Sequence, residues 1–91
     1  MTRYKQSQVS FEDATERVLS FTKKPTDSVN LEFYGLYKQV TVGDVNIDKP
    51  AVWEIKKKAM HEAWRSRKGL SKDAAKEAYI KVYEKYATKY A

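Results

Sequence analysis

The chain has 91 residues, 42% of them hydrophobic, a formal net charge of +6 and no cysteine. That is one small domain with a single modest core, and it excludes disulfide staples, thiolate metal sites and cysteine nucleophiles. No apolar run approaches a membrane span, and the polar stretch Met1–Ser10 lacks the apolar centre of a secretory signal. Residues 1–9 read as a flexible leader, with a transit peptide as the lesser alternative.

Ser10-Phe11-Glu12-Asp13 resembles a capping box with aspartate in place of the usual glutamate. Phe11, Ala14, Val18 and Phe21 follow at helical spacing. Lys24-Pro25 closes this first helix, because the residue before proline is pushed out of helical geometry. Thr26 or Asp27 caps a second helix that runs to about Thr41. Its core side uses Leu31, Phe33, Leu36 and Val40, and Gly43 stands as a left-handed stop. Tyr34 and Tyr37 are three apart and Tyr34 and Lys38 four apart, so two rings and an ammonium share one helical face. Asp44 to Pro50 is a loop with turn formers at Asn46 and Pro50. A third helix is expected from about Val52 to Arg67, ended by Gly69. Ser71 caps a fourth from about Lys72 to the C-terminus, with Ala75, Ala78, Tyr79, Val82 and Tyr86 as its inner stripe. No strand pair and no repeat is evident, so the expected class is all-α, a bundle with short connections.

The charge is uneven. Residues 1–45 carry six basic and six acidic groups, and residues 46–91 carry twelve and six. A basic half-domain attracts phosphorylated ligands, nucleic acid or anionic membranes, although a solvated lysine surface has the same composition. Lys56-Lys57-Lys58 fan over about 200° of helix surface, so Lys56 and Lys58 can face a ligand while Lys57 faces water. Catalysis has little to work with: one histidine, His61, has no nucleophile or carboxylate motif beside it. A lone histidine makes no zinc site, and it reads as packing or pocket lining. Carboxylates such as Glu77 pair with lysines four residues on. The chain is therefore read as a non-enzyme without a metal. The Tyr34/Tyr37/Lys38 face suits a ligand with a planar ring and phosphate, a combination that single-stranded nucleic acid also offers.

Tyr34, Tyr37, Lys38, Gln39, Thr41, Val42, Gly43, Asp44, Asn46 and Pro50 stand in the order and spacing of a known signature. Lys24-Pro25 precedes it. Lys56, Ala59, Glu62-Ala63-Trp64 and Gly69 continue it in the third helix, and Ser71, Ala75 and Ala78-Tyr79-Ile80 in the fourth. From Phe11 to about Tyr90 the chain thus resembles the acyl-CoA-binding protein family. The resemblance implies an acyl-CoA-binding domain over residues 10–91, folded as a four-helix up-down-down-up bundle. It implies no reaction and no cofactor, with fatty acyl-CoA as the ligand. Tyr37 would pack on adenine, Tyr34 and Lys38 would engage the ribose 3′-phosphate, and Lys56 and Tyr79 would line the same site. Gly35 and Leu36 lie within that ligand-binding segment.

Four positions depart from the family pattern. Met60-His61 stands where the family has Lys-Trp, Leu19 replaces a basic residue of the first helix, and Lys57 replaces a habitual glycine. The loss of one charged hydrogen bond is worth about 1.5–3 kcal/mol, or roughly ten- to a hundredfold in affinity. The expectation is a binder and carrier of medium- to long-chain acyl-CoA with a weakened phosphate clamp. It is expected to be a cytoplasmic monomer (organellar as the alternative), with no nucleic acid partner and only transient membrane contact. The competing readings are a basic helical nucleic-acid-binding module and a protein-interaction domain that has lost the ligand.

Overall fold

The computed structural model describes residues 9–91, so the leader expected at residues 1–9 lies outside the described residues except for Val9. Val9 is half-buried and packs on the core, although it falls within the expected leader. Four helices follow: α1 Phe11–Leu19, α2 Asp27–Thr41, α3 Ile55–Arg65 and α4 Lys72–Tyr90. No strand occurs among the described residues.

Three of the four N-termini are closed by the residues their sequence suggests. Ser10 Oγ accepts from the Asp13 amide at 3.0 Å, Thr26 Oγ1 from Val29 at 3.2 Å, and Ser71 Oγ from Ala74 at 3.0 Å. Each bond satisfies an amide that has no partner within the first helical turn. Gly43 and Gly69 adopt φ of 104° and 96°, the left-handed geometry that lets the chain leave α2 and the turn after α3.

Two boundaries differ from expectation. The first helix ends at Leu19, and Phe21 sits in the turn beyond it. There its ring meets Phe33, Tyr83 and Tyr90 at centroid distances of 6.0–6.4 Å. Tertiary aromatic packing outweighs continued helix at that point. The third helix begins at Ile55 and not at Val52. The Glu54 amide donates back to the Ala51 carbonyl at 2.9 Å, closing a turn that occupies residues 51–54.

Helix directions follow from what each end touches. The Lys23 amide donates to the Tyr90 carbonyl at 3.0 Å, so α1 and α4 finish at the same end. Gln39, late in α2, donates to the Leu70 carbonyl just before α4, and Tyr86, late in α4, donates to Glu32, early in α2. So α2 opposes α4. The Trp64 indole donates to the Gly43 carbonyl, which brings the ends of α2 and α3 together. The result is an up-down-down-up bundle in which α2 packs on both α4 and α3, and α1 packs on α4. Phe11, Ala14, Val29, Phe33, Leu36, Val40, Ala75, Tyr79 and Tyr90 form its core.

Candidate ligand-binding site

The cleft with the right chemistry for an amphipathic anion lies between α2 and α3. It has a volume of about 690 Å³ and is lined by Lys24, Asp27, Asn30, Leu31, Tyr34, Ile55, Lys56, Ala59 and Met60. That size falls within the ordinary range of small-molecule sites. Asp27, Asn30, Leu31 and Tyr34 recur at three- and four-residue steps and so form one stripe of α2. Ile55, Lys56, Ala59 and Met60 do the same on α3. Leu31, Ile55, Ala59 and Met60 supply apolar surface, while Lys24 and Lys56 supply cations.

The cleft is held open by a crossing further along the two helices. Gly35 is buried where the backbones of α2 and α3 meet, beside Ala63. Leu36 is fully buried in the core. Neither residue offers a side chain to the cleft, and both act by placing the helices. Leu31, expected in the core, is only half-buried and faces the cleft instead.

Tyr34 is shared between two clefts. Its other side borders a smaller one of about 370 Å³ formed by Thr15, Val18, Leu19, Phe33, Tyr37 and Tyr79. Tyr37 is half-exposed there and stacks on Phe11 at 6.1 Å between ring centres. Tyr79 is buried beneath, edge-on to Phe11 at 5.1 Å. Burial, with a smaller contribution from Tyr37, pushes the Tyr79 hydroxyl up to about 12. Lys38 turns away from this cleft and toward α3, its ammonium 4.9 Å from the Trp64 ring centre. So Tyr34, Tyr37 and Lys38 share a helical face in sequence, but that face is divided between α1/α4 on one side and α3 on the other.

The three consecutive lysines are likewise separated. Lys56 lines the large cleft, and Lys57 pairs with Glu54 at 3.2 Å. Lys58 lines a third cleft of about 310 Å³ with Lys49, Ile55, Ala59, His61 and Glu62. His61 is buried, and its Nε2 lies 3.2 Å from the Ile47 carbonyl. A carbonyl can only accept, so Nε2 carries the proton and ties the loop to α3. Met60 is half-buried and faces the large cleft. Leu19 is exposed at the rim of the smaller one.

The tail of the signature is structural. Asp44 Oδ1 accepts from the Gly69 amide at 2.9 Å and from Gln39 Nε2 at 2.8 Å, and Gln39 also donates to the Leu70 carbonyl at 2.9 Å. The Gly69 bond, then the Gln39 bond, hold the Asp44 carboxyl below its usual range. With the Trp64 bond to the Gly43 carbonyl at 2.7 Å, they lock the end of α2 to the link between α3 and α4. The cleft residues that sequence reasoning missed are Lys24, read only as part of a turn, and Asp27, Asn30 and Ile55. For Asn30 and Asp27 the signal was the spacing from Tyr34, four and seven residues back along the same stripe of α2, whereas Ile55 opens α3 and had no such signal. No cluster of three or more potential metal ligands occurs among the described residues.

Comparison with known proteins places this geometry among relatives. The family described as acyl CoA binding protein matches residues 8–83. The chain is similar to the acyl-CoA-binding protein of Dictyostelium discoideum, 49% identical over 82 residues that cover 90% of this chain and 98% of that protein. It is 44% identical over 81 residues to the Drosophila melanogaster acyl-CoA-binding protein homolog, covering 89% and 94%. Among solved structures, ACBP from Moniliophthora perniciosa superposes with a TM-score of 0.77 at 35% identity, covering 91% of this chain and 93% of that one. The yeast acyl coenzyme A binding protein superposes with a TM-score of 0.71 at 38% identity, covering 88% and 93%.

Proposed function

This chain belongs to the acyl-CoA-binding protein family, and from that premise we propose that it binds fatty acyl-CoA and carries it between enzymes without reacting with it. The observation that carries this reading is the cleft between α2 and α3. It places Lys24 and Lys56 beside a surface made of Leu31, Ile55, Ala59 and Met60. A thioester with a long apolar tail and an anionic nucleotide head needs that combination. Burial of the tail drives binding at about 0.8 kcal/mol per methylene, and the head supplies orientation.

Within the cleft, Tyr34 offers a ring and a hydroxyl to the nucleotide head and Lys56 a cation to its phosphates. Tyr37 presents its ring on the far side of Tyr34, and Lys38 serves the phosphates by swinging from its place over Trp64. Met60 puts a thioether where a further cation would face the head, so the clamp on the 3′-phosphate is weak and the apolar cleft carries more of the affinity. Medium- to long-chain tails match an open cleft of this size, and handover to acyl-transferring or oxidising enzymes follows from a site open to solvent. The protein acts as a monomer in the cytoplasm in this reading.

Titration calorimetry with palmitoyl-CoA and with free CoA tests it. Palmitoyl-CoA binds, and free CoA binds far more weakly. No heat of binding at about 50 μM palmitoyl-CoA, a concentration at which even a ligand of about −6 kcal/mol is detectable, would overturn the proposal.

A further inference from the structure

Four large apolar side chains stand in solvent between residues 47 and 55. Ile47 is 56% exposed, Val52 73%, Trp53 79% and Ile55 77%. Large apolar side chains left in solvent so close together along the chain point to an interaction site. It is not a frayed segment, because the turn that presents it is pinned from both ends. The Glu54 amide donates to the Ala51 carbonyl at 2.9 Å, and the Ala51 amide donates back to the Glu54 carboxylate at 3.2 Å. That carboxylate also holds Lys57 at 3.2 Å. Val52 and Trp53 occupy the two corners between these bonds. The preceding loop is tied to α3 by the His61 bond to the Ile47 carbonyl.

Around the turn stand four exposed lysines, Lys49, Lys56, Lys57 and Lys58, against the two carboxylates Asp48 and Glu54. An apolar corner ringed by net positive charge has one well-matched partner. Indole and aliphatic groups settle at the boundary between headgroups and acyl chains, while lysine stems follow them and leave their ammonium groups among anionic headgroups. No described helix is long and apolar enough to cross a membrane, which leaves contact at the surface. We propose that the Ala51–Glu54 turn docks this protein on anionic phospholipid bilayers, with Val52 and Trp53 entering the interface and Lys49, Lys56 and Lys58 on the headgroups. Ile55 lines the α2/α3 cleft as well as this patch. Docking therefore brings the rim of the cleft to the bilayer, a consequence that rests on the acyl-CoA reading, whereas docking itself does not.

The test is co-sedimentation of the full chain, free of ligand, with vesicles of phosphatidylcholine alone and with about 30% phosphatidylserine added. Binding to the anionic vesicles is expected, weakening with salt, with Trp53 emission shifted to shorter wavelength and quenched by bromine-labelled acyl chains. The other tryptophan, Trp64, is buried and hydrogen-bonded, so it supplies the unmoved background. The double substitution Val52→Ser, Trp53→Ser is expected to weaken partitioning by about tenfold or more with unchanged helical circular dichroism. Equal binding to both vesicle types, or undiminished binding of the double variant, overturns the proposal. So does a concentration-dependent dimer without vesicles that the double variant abolishes, since the patch then belongs to a second copy. Palmitoyl-CoA titration of the same samples separates the two readings: a protein that binds palmitoyl-CoA but no vesicles refutes docking alone, and the reverse refutes only the acyl-CoA function.

Discussion

Gly35 on α2 and Ala63 on α3 meet backbone to backbone: a Cβ added to Gly35 would stand 2.8 Å from the Ala63 carbonyl carbon and closer still to its oxygen. This contact sets how α2 and α3 cross, and thereby how wide the cleft between Tyr34 and Met60 stands. Gly35→Ala must push the helices apart, since neither atom it meets belongs to a flexible side chain. Overpacking of this kind costs about 1–3 kcal/mol, offset by roughly 1 kcal/mol of helix propensity. The expected outcome is a fall in melting temperature of several degrees, by the usual ~4–8 °C per kcal/mol for a domain of this size. A variant that melts at or above wild type in a calorimeter would show that the crossing yields freely.

Met60 faces the cleft from the same helix as Lys56, one turn further on. Met60→Lys should return a cation to the phosphate clamp, because a lysine stem can lie along the apolar wall with its head in water. Affinity for palmitoyl-CoA is expected to rise roughly ten- to a hundredfold, the worth of one charge-assisted hydrogen bond. Calorimetric titration of the two proteins side by side checks this. An unchanged or lower affinity would mean that other cations already satisfy the phosphate.

Asp44 should contribute to stability in a pH-dependent way. The Gly69 amide and then the Gln39 side chain favour its charged form and lower its folded pKa. A carboxyl depressed in this manner stabilises the fold fully above its unfolded value of about 3.9. That contribution is lost as pH falls through the lower folded value. Asp44→Asn keeps an acceptor oxygen but no charge. Urea titrations should find it less stable than wild type at about pH 7, with the gap closing in acid below about pH 4. A gap of constant size across that range would refute the assignment.

Tyr79 works at the opposite end of the scale. Burial raises its hydroxyl from an unfolded value of about 10 to about 12 in the fold. The native state therefore holds a proton that the unfolded chain releases between those values. Its stabilising contribution is complete below about pH 10 and lost as pH rises through the folded value. Tyr79→Phe should remove that part of the alkaline decline, read as a smaller drop in melting temperature between about pH 8 and about pH 11. Identical declines in the two proteins would contradict it.

Much of this architecture was legible in the sequence because its signals are local. Ser10, Thr26 and Ser71 cap the helices beside them, and Gly43 and Gly69 turn the chain with their own backbone freedom. Phe33, Leu36, Val40, Ala75 and Tyr79 announce core faces by period alone, and all are buried. The misplacements have non-local causes. Phe21 leaves its helix for rings on α2 and α4. Residues 51–54 form a turn instead of the first turn of α3, stabilised by the Glu54 carboxylate.

By itself, then, the sequence determined four helices, their caps, their apolar stripes and the residue types available to a ligand. Only the tertiary structure decided how those types are shared out. It set Tyr34 between two clefts, turned Lys38 onto Trp64, sent Lys56 and Lys58 to different sides of α3, gave Leu31 to the cleft and left Trp53 in solvent. The reason is physical: periodicity and capping act within a few residues of one helix, whereas the neighbour that covers each face depends on how close two backbones can come, and here Gly35 against Ala63 sets that distance.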